Sequence, residues 1–520
     1  MLFFVNLIIT WLQKPKVLLV FKAGFAFVLL YFAGLLLHYH YFMTAFPYPI
    51  IYREGTMMAT TSQLLHGIIP YHFVDEPPYT NGYGFGYPLL VLPFAATFGN
   101  TLIIHRAVTA LFIFASCAVI GFVLHKKRAH PLLNLWAILT LYASLLFPLT
   151  STPTVDPAST GMFFMLLTIF IPYFCNYSLS SLVISICFGG LAYYTKAYFL
   201  LGIPVMASYL FLLVSKKKAI LYGAAAFLCF VVSVLIMNHF FPSYFDDCFF
   251  INYNISAQTT MMLVLVRQLH QFADLHLGVI IVVSIIMVYS LVHWLVSGRF
   301  KAIANDLKVI TQMPIDIFAG IFFAAVLVLS MGKHYGANLW YFFQLFSPFL
   351  VIMVAELTGR FKLWPVLFSF LLIYNLYSLT AKDDYKFFVD SKTGWKTIEM
   401  LIKSNVSIFN SSLTAPLLIQ ENKEIYDDGA EFYAGGGKRT GFFAKFLKDD
   451  PRVINTEVSF FQRVQSMIQY KQFDLIMIEA GYASVILPKA VANYYKVVGS
   501  IFVFAPQDRR IYMMTVWKPI

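Results

Sequence analysis

Eleven long apolar runs constrain this 520-residue chain more than any of its other features. A run of about 17–25 apolar residues forms a helix long enough to cross the hydrocarbon core of a bilayer. We predict membrane spans at residues 17–39, 101–124, 132–150, 159–176, 180–197, 198–214, 219–240, 275–297, 314–331, 338–357 and 363–381. The junction Tyr194–Phe199 leaves counts of ten or twelve open, because the chain there could form one bent helix. Residues 87–98 are apolar but too short to span, and we expect them at the membrane interface.

The composition agrees with a membrane protein and excludes two other classes. Hydrophobic residues make up 59% of the chain and charged residues 12%, against about 45–50% and about 25% in soluble globular domains. A soluble enzyme is therefore excluded. The aromatic share of 18% excludes a disordered protein, because disordered chains are poor in aromatic residues. A multi-pass membrane protein is the class that fits.

The formal charge of +12 follows the membrane topology rather than a polyanion site. With the N-terminus inside, the inner loops hold 13 of the 20 basic residues that precede position 383. The opposite side carries seven of the ten acids in the same stretch: Glu54, Asp75, Glu76, Asp156, Asp246, Asp247 and Asp274. Inner loops of membrane proteins are enriched in Lys and Arg. The pattern predicts a cytoplasmic N-terminus in the plasma (inner) membrane and gives no support to nucleic-acid binding.

The chain divides into two predicted domains. Residues 1–382 form an α-helical transmembrane domain, with outer loops at 40–100 and 241–274. Residues 383–520 are rich in charge and predict a soluble α/β domain on the outer, periplasmic side. We expect strands at Ala415–Gln420, Phe473–Glu479, Lys496–Ala505 and Arg510–Val516, with a helix at Ser484–Tyr495. The five cysteines show no disulfide or metal-binding spacing.

Polar residues from separate outer loops or helix ends are the candidates for a functional site. Charged groups at membrane depth are costly and tend to be functional or paired. The candidates are Glu54, Asp156, Lys196, Arg267, Lys333 and His334. Five of the six also have an ordinary explanation: Glu54 and Asp156 could cap helices, Lys196 could extend to the interface, and Lys333 and His334 could be loop residues. No His, Asp and Glu set has metal-ligand spacing, but the outer acids could assemble one in three dimensions.

The first outer loop contains a predicted helix and an aromatic turn. Residues 56–66 have apolar side chains at helical spacing, and Gly67 and Pro70 follow as terminators. We expect an amphipathic helix on the membrane surface, in which Glu54 either acts chemically or caps the helix and pairs with Arg53. The turn Asn81–Pro88 is a loop signal, although the rings of Tyr83 and Tyr87 would also suit stacking on sugar faces.

Taken in order along the chain, these positions resemble the multi-spanning GT-C class of glycosyltransferases. The resemblance is to bacterial relatives of family 39 that use polyprenyl-phosphate sugars, and it covers nearly the whole length. Its residues are Tyr52–Gly55, Gly67–Tyr71, Tyr83–Pro93, Thr154–Asp156, Thr195-Lys196, Gly336–Pro348 and Phe473–Phe504. The sequence departs from the family in having Thr154 where relatives often have Arg, and in stretching the usual Asn-Tyr pair into Asn338–Tyr341.

The resemblance implies transfer of a sugar from a polyprenyl phosphate to an acceptor hydroxyl at the outer face, with inversion. A carboxylate would take the acceptor's proton; Glu54 is the first candidate and Asp156 the second. Lys196 would stabilise the departing phosphate, with Arg267, Lys333 and His334 as weaker candidates. The expected substrate-lining residues are Arg53, Tyr83, Tyr87, Asn338 and Tyr341. No cofactor is expected and a divalent metal stays open; the acceptor could be a glycan, a lipid or a protein.

Two other functions remain open at this stage. A transporter or flippase for lipid-linked glycans typically has internal repeats and broken helices at mid-membrane depth, and no convincing repeat is found here. A glycan polymerase or ligase would also act at the outer face, but on a lipid-linked oligosaccharide. A large outer loop between late spans would indicate it, whereas this chain has its long outer segments elsewhere.

Overall fold

A computed structural model gives the architecture of most of the chain. It describes residues 10–51, 53–71, 84–146, 155–242, 244–245, 248, 261–296, 313–330, 342–380, 392–426, 462–479, 491–505 and 510–520. The candidates Tyr83, Lys333, His334, Asn338 and Tyr341 lie outside these ranges, as does most of the helix predicted at 484–495.

All regular elements that the structure describes within residues 1–382 are helices. They are α1 (Pro15–Ala45), α2 (Glu54–Leu65), α3 (Gly86–Phe98), α4 (Leu102–Lys126), α5 (Pro131–Leu146), α6 (Ala158–Phe174), α7 (Leu179–Thr195), α8 (Gly202–Tyr209), α9 (Lys216–Phe240), α10 (Met261–Leu275), α11 (Leu277–Val296), α12 (Ile315–Ser330), α13 (Ser347–Gly359), α14 (Trp364–Leu367) and α15 (Ser369–Thr380). A 3₁₀ turn, Ala197–Leu201, precedes α8, and π-helical turns follow α8 at Leu210–Val214 and precede α13 at Phe342–Phe346.

Each segment predicted as a span contains a helix. Among the described residues, four helices are long and apolar enough to cross a membrane alone: Pro15–Ala45, Leu102–Lys126, Ala197–Val214 and Lys216–Phe240. Leu269–Leu275 and Leu277–Val292 form a pair bent by 88°, which counts as a fifth if the two helices are one span. Six shorter apolar helices of 10–17 residues complete the described set. The helical fold with several apolar spans is thus confirmed, while the number of crossings stays a prediction.

An ion-pair cluster joins three helices at one end of the bundle. Lys127 follows α4, and its Nζ lies 2.6 Å from Oδ1 of Asp316 in α12 and 2.8 Å from Oε2 of Glu356 in α13. Arg360 Nη2 lies 3.5 Å from Oε1 of Glu356. The Asp316 side chain is fully buried. Two cations thus balance two carboxylates, which is the condition for burying charge without a large cost.

The C-terminal part is a small sheet with helices packed on it. After α16 (Lys392–Ser404) come β1 (Ile408–Phe409), α17 (Ala415–Gln420), β2 (Leu475–Glu479), β3 (Tyr495–Ala505) and β4 (Arg510–Pro519). The strand order is β1-β2-β4-β3, with β1 and β2 parallel and the other pairs antiparallel. The strands predicted near 473–479, 496–505 and 510–516 are confirmed.

Two local predictions are wrong. Ala415–Gln420 is a helix rather than a strand: Pro416 stands in its first turn, where proline is favoured, and a short buried apolar run cannot reveal its period. The helix of the first outer loop does not lie on the membrane surface along its length. Its first two turns, Glu54–Thr61, are buried inside the protein. Arg53 and Glu54 nevertheless mark its beginning, and Gly67 follows its end with φ +71°.

Candidate functional site

Lys196 stands at a break between two helices. Helix α7 ends at Thr195, Lys196 adopts extended backbone angles, and a 3₁₀ turn begins at Ala197. Two helices therefore meet here rather than one bent helix. The Lys196 ammonium group lies 3.5 Å from Oδ1 of Asp156 and 5.5 Å from the centre of the Tyr198 ring. Only 12% of the lysine side chain and 10% of the aspartate side chain are exposed, so the pair is largely shielded from solvent.

Asp156 caps a helix and also faces Lys196. It precedes α6, and its Oδ1 accepts a hydrogen bond of 2.7 Å from the backbone N–H of Ala158. A carboxylate in this position satisfies a free N–H at the start of the helix and is favoured by the helix dipole. The same oxygen faces Lys196. The helix therefore fixes the carboxylate, which is in turn directed at the ammonium group.

Three glycines allow other segments to pack tightly against this break. A Cβ added at Gly84 or Gly86 would lie 2.6 or 2.7 Å from the carbonyl oxygen of Tyr194. On α6, a Cβ at Gly161 would meet the Phe199 ring at 2.2 Å. Gly84 also has φ +91°, which favours glycine. The Gly/aromatic turn Asn81–Pro88 thus allows the backbone at Gly84 and Gly86 to pack closely against the backbone of Tyr194, beside Lys196.

Glu54 is paired with a residue that sequence analysis missed. Arg106, in the first turns of α4, donates from Nε to Oε1 at 2.8 Å and from Nη2 to Oε2 at 2.7 Å. Both side chains are fully buried. Arg106 also donates to the backbone carbonyls of Met43, Phe46 and Tyr48. All five N–H donors of the guanidinium group therefore have acceptors.

The Glu54 carboxylate is likewise saturated. Besides Arg106, the backbone N–H of Ile50 donates to Oε2 at 2.7 Å and that of Val155 to Oε1 at 3.2 Å. A carboxylate has about four lone-pair positions, and here four donors occupy them. The alternative pairing of Glu54 with Arg53 is not the arrangement found, and the first-choice base role for Glu54 meets a physical objection: no oxygen position is left for a substrate proton.

The two predicted acids are brought together through the backbone. Glu54 accepts from the N–H of Val155, the residue immediately before Asp156. Arg53, next to Glu54 in the chain, is close enough to Lys196 to act on it as a like charge. Four of the predicted site residues, from three separate segments, therefore surround one position. They are Arg53, Glu54, Asp156 and Lys196.

Two predicted site residues have other surroundings. Tyr87 is fully buried, and its hydroxyl donates to the His105 carbonyl at 2.9 Å and contacts the Thr109 hydroxyl at 3.0 Å. Its hydroxyl is thus occupied within the protein, and the place of Tyr87 on a substrate surface stays a prediction. Arg267 is exposed on α10. Among the described residues, no group of three or more His, Cys, Asp or Glu could hold a metal ion.

Arg106 and Gln344 are the residues near the site that the sequence analysis did not single out. Arg106 is a lone charge within an apolar run, and this alone is a sign of a paired or functional group. Gln344, in the π-helical turn before α13, accepts a hydrogen bond from the hydroxyl of Tyr198, whose ring Lys196 faces. A glutamine in the motif Gly336–Pro348 carries no comparable signal.

The fold of this chain is similar to that of ArnT, a GT-C glycosyltransferase. The crystal structure of ArnT from Cupriavidus metallidurans in the apo state has a TM-score of 0.57 and 11% sequence identity with this chain, covering 96% of it and 98% of ArnT. The crystal structure of ArnT bound to undecaprenyl phosphate has a TM-score of 0.46 and 12% identity, covering 94% and 97%. No protein-family model and no curated protein matches the chain. At this identity the likeness defines the fold.

Proposed function

We propose that this protein is a membrane glycosyltransferase that moves a sugar from a polyprenyl phosphate to an acceptor hydroxyl at the outer face of the plasma membrane. The observation that carries the proposal is the shielded Asp156–Lys196 pair at the break between α7 and the following 3₁₀ turn. The ArnT-like fold and the sequence resemblance support the same activity. The N-terminus is then cytoplasmic and residues 383–520 lie outside.

The reaction needs a base and a place for the leaving phosphate. The acceptor oxygen attacks the anomeric carbon, the bond from that carbon to the phosphate oxygen breaks, and the lipid phosphate leaves with the electron pair. One displacement inverts the anomeric centre. Lys196 and Arg53 supply the positive charge that stabilises the phosphate as its charge grows. The apolar faces between helices accommodate the polyprenyl chain.

We assign the base role to Asp156 rather than to Glu54. The acceptor's proton needs a carboxylate oxygen that is not fully occupied. Four donors fill both oxygens of Glu54, whereas Asp156 lies beside the Lys196 ammonium group, which would stabilise the leaving phosphate. Glu54 with Arg106 forms the framework that holds the first loop against Asp156.

The test is release of the lipid phosphate by the purified full-length protein in lipid nanodiscs. The donors are undecaprenyl phosphates that carry single hexoses or pentoses, and the acceptor is total envelope lipid and glycan. Mass spectrometry follows free undecaprenyl phosphate and the glycosylated product together. Release of both from at least one donor supports the proposal. Movement of a labelled lipid across the bilayer with the glycosidic bond intact would instead identify a flippase, and transfer only from lipid-linked oligosaccharides would identify a polymerase or ligase.

Asp156→Asn tests the assignment of the base. Asparagine retains the oxygen that caps α6 but cannot take a proton, so transfer per folded molecule should fall by about 10²–10⁴-fold. The matched control is Asp474→Asn in the C-terminal domain, where an aspartate accepts from the backbone N–H groups of Val406 and Ser407. Full activity in Asp156→Asn would contradict the assignment.

A further inference from the structure

A tyrosine in the first loop connects the C-terminal domain to the membrane helices. Tyr48 is only 5% exposed, and its ring stacks on Trp395 of α16 with centroids 5.9 Å apart and planes 10° apart. Its hydroxyl donates to Oε2 of Glu399 at 3.0 Å. Trp395 is itself fully buried. The first loop is therefore held from the side of the C-terminal domain by one stacked ring and one hydrogen bond.

The same tyrosine is held from the other side by the buried ion pair. Its backbone carbonyl accepts from Nη2 of Arg106 at 2.8 Å, and the same nitrogen donates to Glu54. Glu54 then accepts from the N–H of Val155, which precedes Asp156. Direct polar contacts thus run without interruption from Glu399 in the C-terminal domain to the segment that carries Asp156.

A second, apolar route reaches the same segment. Helix α17 of the C-terminal domain packs against α2. Its Ile419, 6% exposed, belongs to one hydrophobic cluster with Met57 and Met58 of α2 and with Val155. Val155 is therefore fixed twice, by its N–H on Glu54 and by its place in this cluster. Each of these two contacts of Val155 depends on a part of the structure that also contacts the C-terminal domain.

We propose that the C-terminal domain positions the reaction centre: through Tyr48 and Ile419 it holds the Val155–Asp156 segment in place for transfer. This inference rests on the glycosyl transfer proposed above. Tyr48 and Ile419 are positioning residues, because they act on Asp156 only through other groups. A displacement of about 1 Å in a reacting group can lower the rate about 10²-fold. Loss of either contact therefore lowers the turnover rate more than donor binding.

The kinetic test compares Tyr48→Phe and Ile419→Ala with Tyr470→Phe in the full-length protein. Tyr48→Phe removes the hydroxyl and leaves the stacked ring, and Tyr470 is a tyrosine of the same domain that is 77% exposed. With an undecaprenyl-phosphate sugar as donor, we expect kcat to fall about 10-fold or more in the two test variants and KM to change less than about 2-fold. Tyr470→Phe should match the wild type. A rise in KM at unchanged kcat would contradict positioning.

A second measurement does not depend on activity. Hydrogen–deuterium exchange reports the Val155 N–H bond to Glu54 in a peptide that begins at least two residues before Val155 and ends near residue 160. Exchange there should become at least about 10-fold faster in Tyr48→Phe and Ile419→Ala and stay unchanged in Tyr470→Phe. Unchanged exchange in both test variants would overturn the positioning role even if the wild type transfers sugar. A wild type that releases no undecaprenyl phosphate would overturn the proposed function, while the exchange result would still decide the coupling.

Discussion

Arg106 and Glu54 form a bidentate ion pair inside the protein, with Nε 2.8 Å from Oε1 and Nη2 2.7 Å from Oε2. Neither side chain is exposed. The pair also gathers three backbone carbonyls of the first loop and the N–H groups of Ile50 and Val155. A buried pair with every donor and acceptor occupied fixes geometry rather than exchanging protons with a substrate. Glu54, the first candidate for the base, thus has the surroundings of a structural residue, and this is why we propose Asp156 for the base role.

Neutralising Glu54 should therefore destabilise the protein. Glu54→Gln leaves the Arg106 charge buried without its counter-ion and turns one acceptor into a donor that faces other donors. Removing one partner of a buried pair costs about 3–5 kcal/mol. Thermal unfolding of the purified protein should show this loss. The matched control is Glu421→Gln, because that carboxylate is 36% exposed beside Lys403 and an exposed pair contributes about 0–1 kcal/mol. A melting temperature equal to that of the wild type would contradict the structural role of Glu54.

Removing the Lys196 charge should act on the donor. In Lys196→Met a chain of similar length remains, but the ammonium group that faces Asp156 is lost. A hydrogen bond to a charged group contributes about 1.5–3 kcal/mol, so kcat/KM for an undecaprenyl-phosphate sugar should fall about 10- to 100-fold. Lys218→Met is the control, because Lys218 is an exposed lysine that donates to a backbone carbonyl. Equal donor dependence in the two variants would remove Lys196 from the phosphate site.

The helical part of the fold was largely predictable because the length of an apolar run is a strong signal for a membrane-spanning helix. The ends of the helices Pro15–Ala45, Leu102–Lys126 and Lys216–Phe240 lie within three residues of the predicted span ends, apart from the end of α1, which lies six residues beyond it. Ala415–Gln420 was not predictable, because a buried run of six apolar residues looks alike in a strand and in a short buried helix.

The site was predictable in part, for a different reason. The positive-inside pattern brings acids and cations to one side of the membrane but cannot say which of them touch. Arg106 was detectable as a lone charge within the run Leu102–Lys126. Its pairing with Glu54 was not, because 52 residues separate the two and only the packing of α2 on α4 joins them. The Gly/aromatic turn Asn81–Pro88 gave no indication that Gly86 packs against Tyr194.

A methyl group at Gly86 should displace the segment that carries Lys196. The Cβ of Gly86→Ala would lie 2.7 Å from the Tyr194 carbonyl oxygen and 3.0 Å from the Thr195 nitrogen. Both are backbone atoms, which cannot rotate away, so kcat/KM should fall about 10- to 100-fold through misplacement of the ammonium group. Gly190→Ala, on the same helix α7, is the control: a Cβ there meets nothing within 4 Å. Comparable activity of the two variants would argue against the close approach.

The Lys127 cluster should matter for stability and not for chemistry. Lys127→Met leaves the fully buried Asp316 and the partly buried Glu356 without their shared cation, which should cost about 3–5 kcal/mol in unfolding. Lys127 and Arg106 are at opposite ends of α4, about 30 Å apart at 1.5 Å per residue. The turnover per folded molecule should therefore equal that of the wild type. Adding Asp316→Asn to Lys127→Met should recover part of the lost stability, and a double variant as unstable as the single one would contradict the ion-pair explanation.

The contact between Tyr48 and Glu399 should depend on pH in a defined direction. The hydrogen bond from Lys403, with a further one from Tyr48, lowers the pKa of Glu399 below its ordinary value of 4.5. Burial raises the pKa of Tyr48 to about 12, so its hydroxyl remains a donor at every pH of interest. A carboxyl group whose pKa is lowered by folding stabilises the folded state above its ordinary pKa, and this contribution disappears as the pH falls through the lowered value. The wild type should therefore melt at a higher temperature than Glu399→Gln at neutral pH, and the difference should close as the pH falls below 4.5. A difference that stays constant down to strongly acidic pH would show that the charge of Glu399 does not hold the C-terminal domain on the first loop.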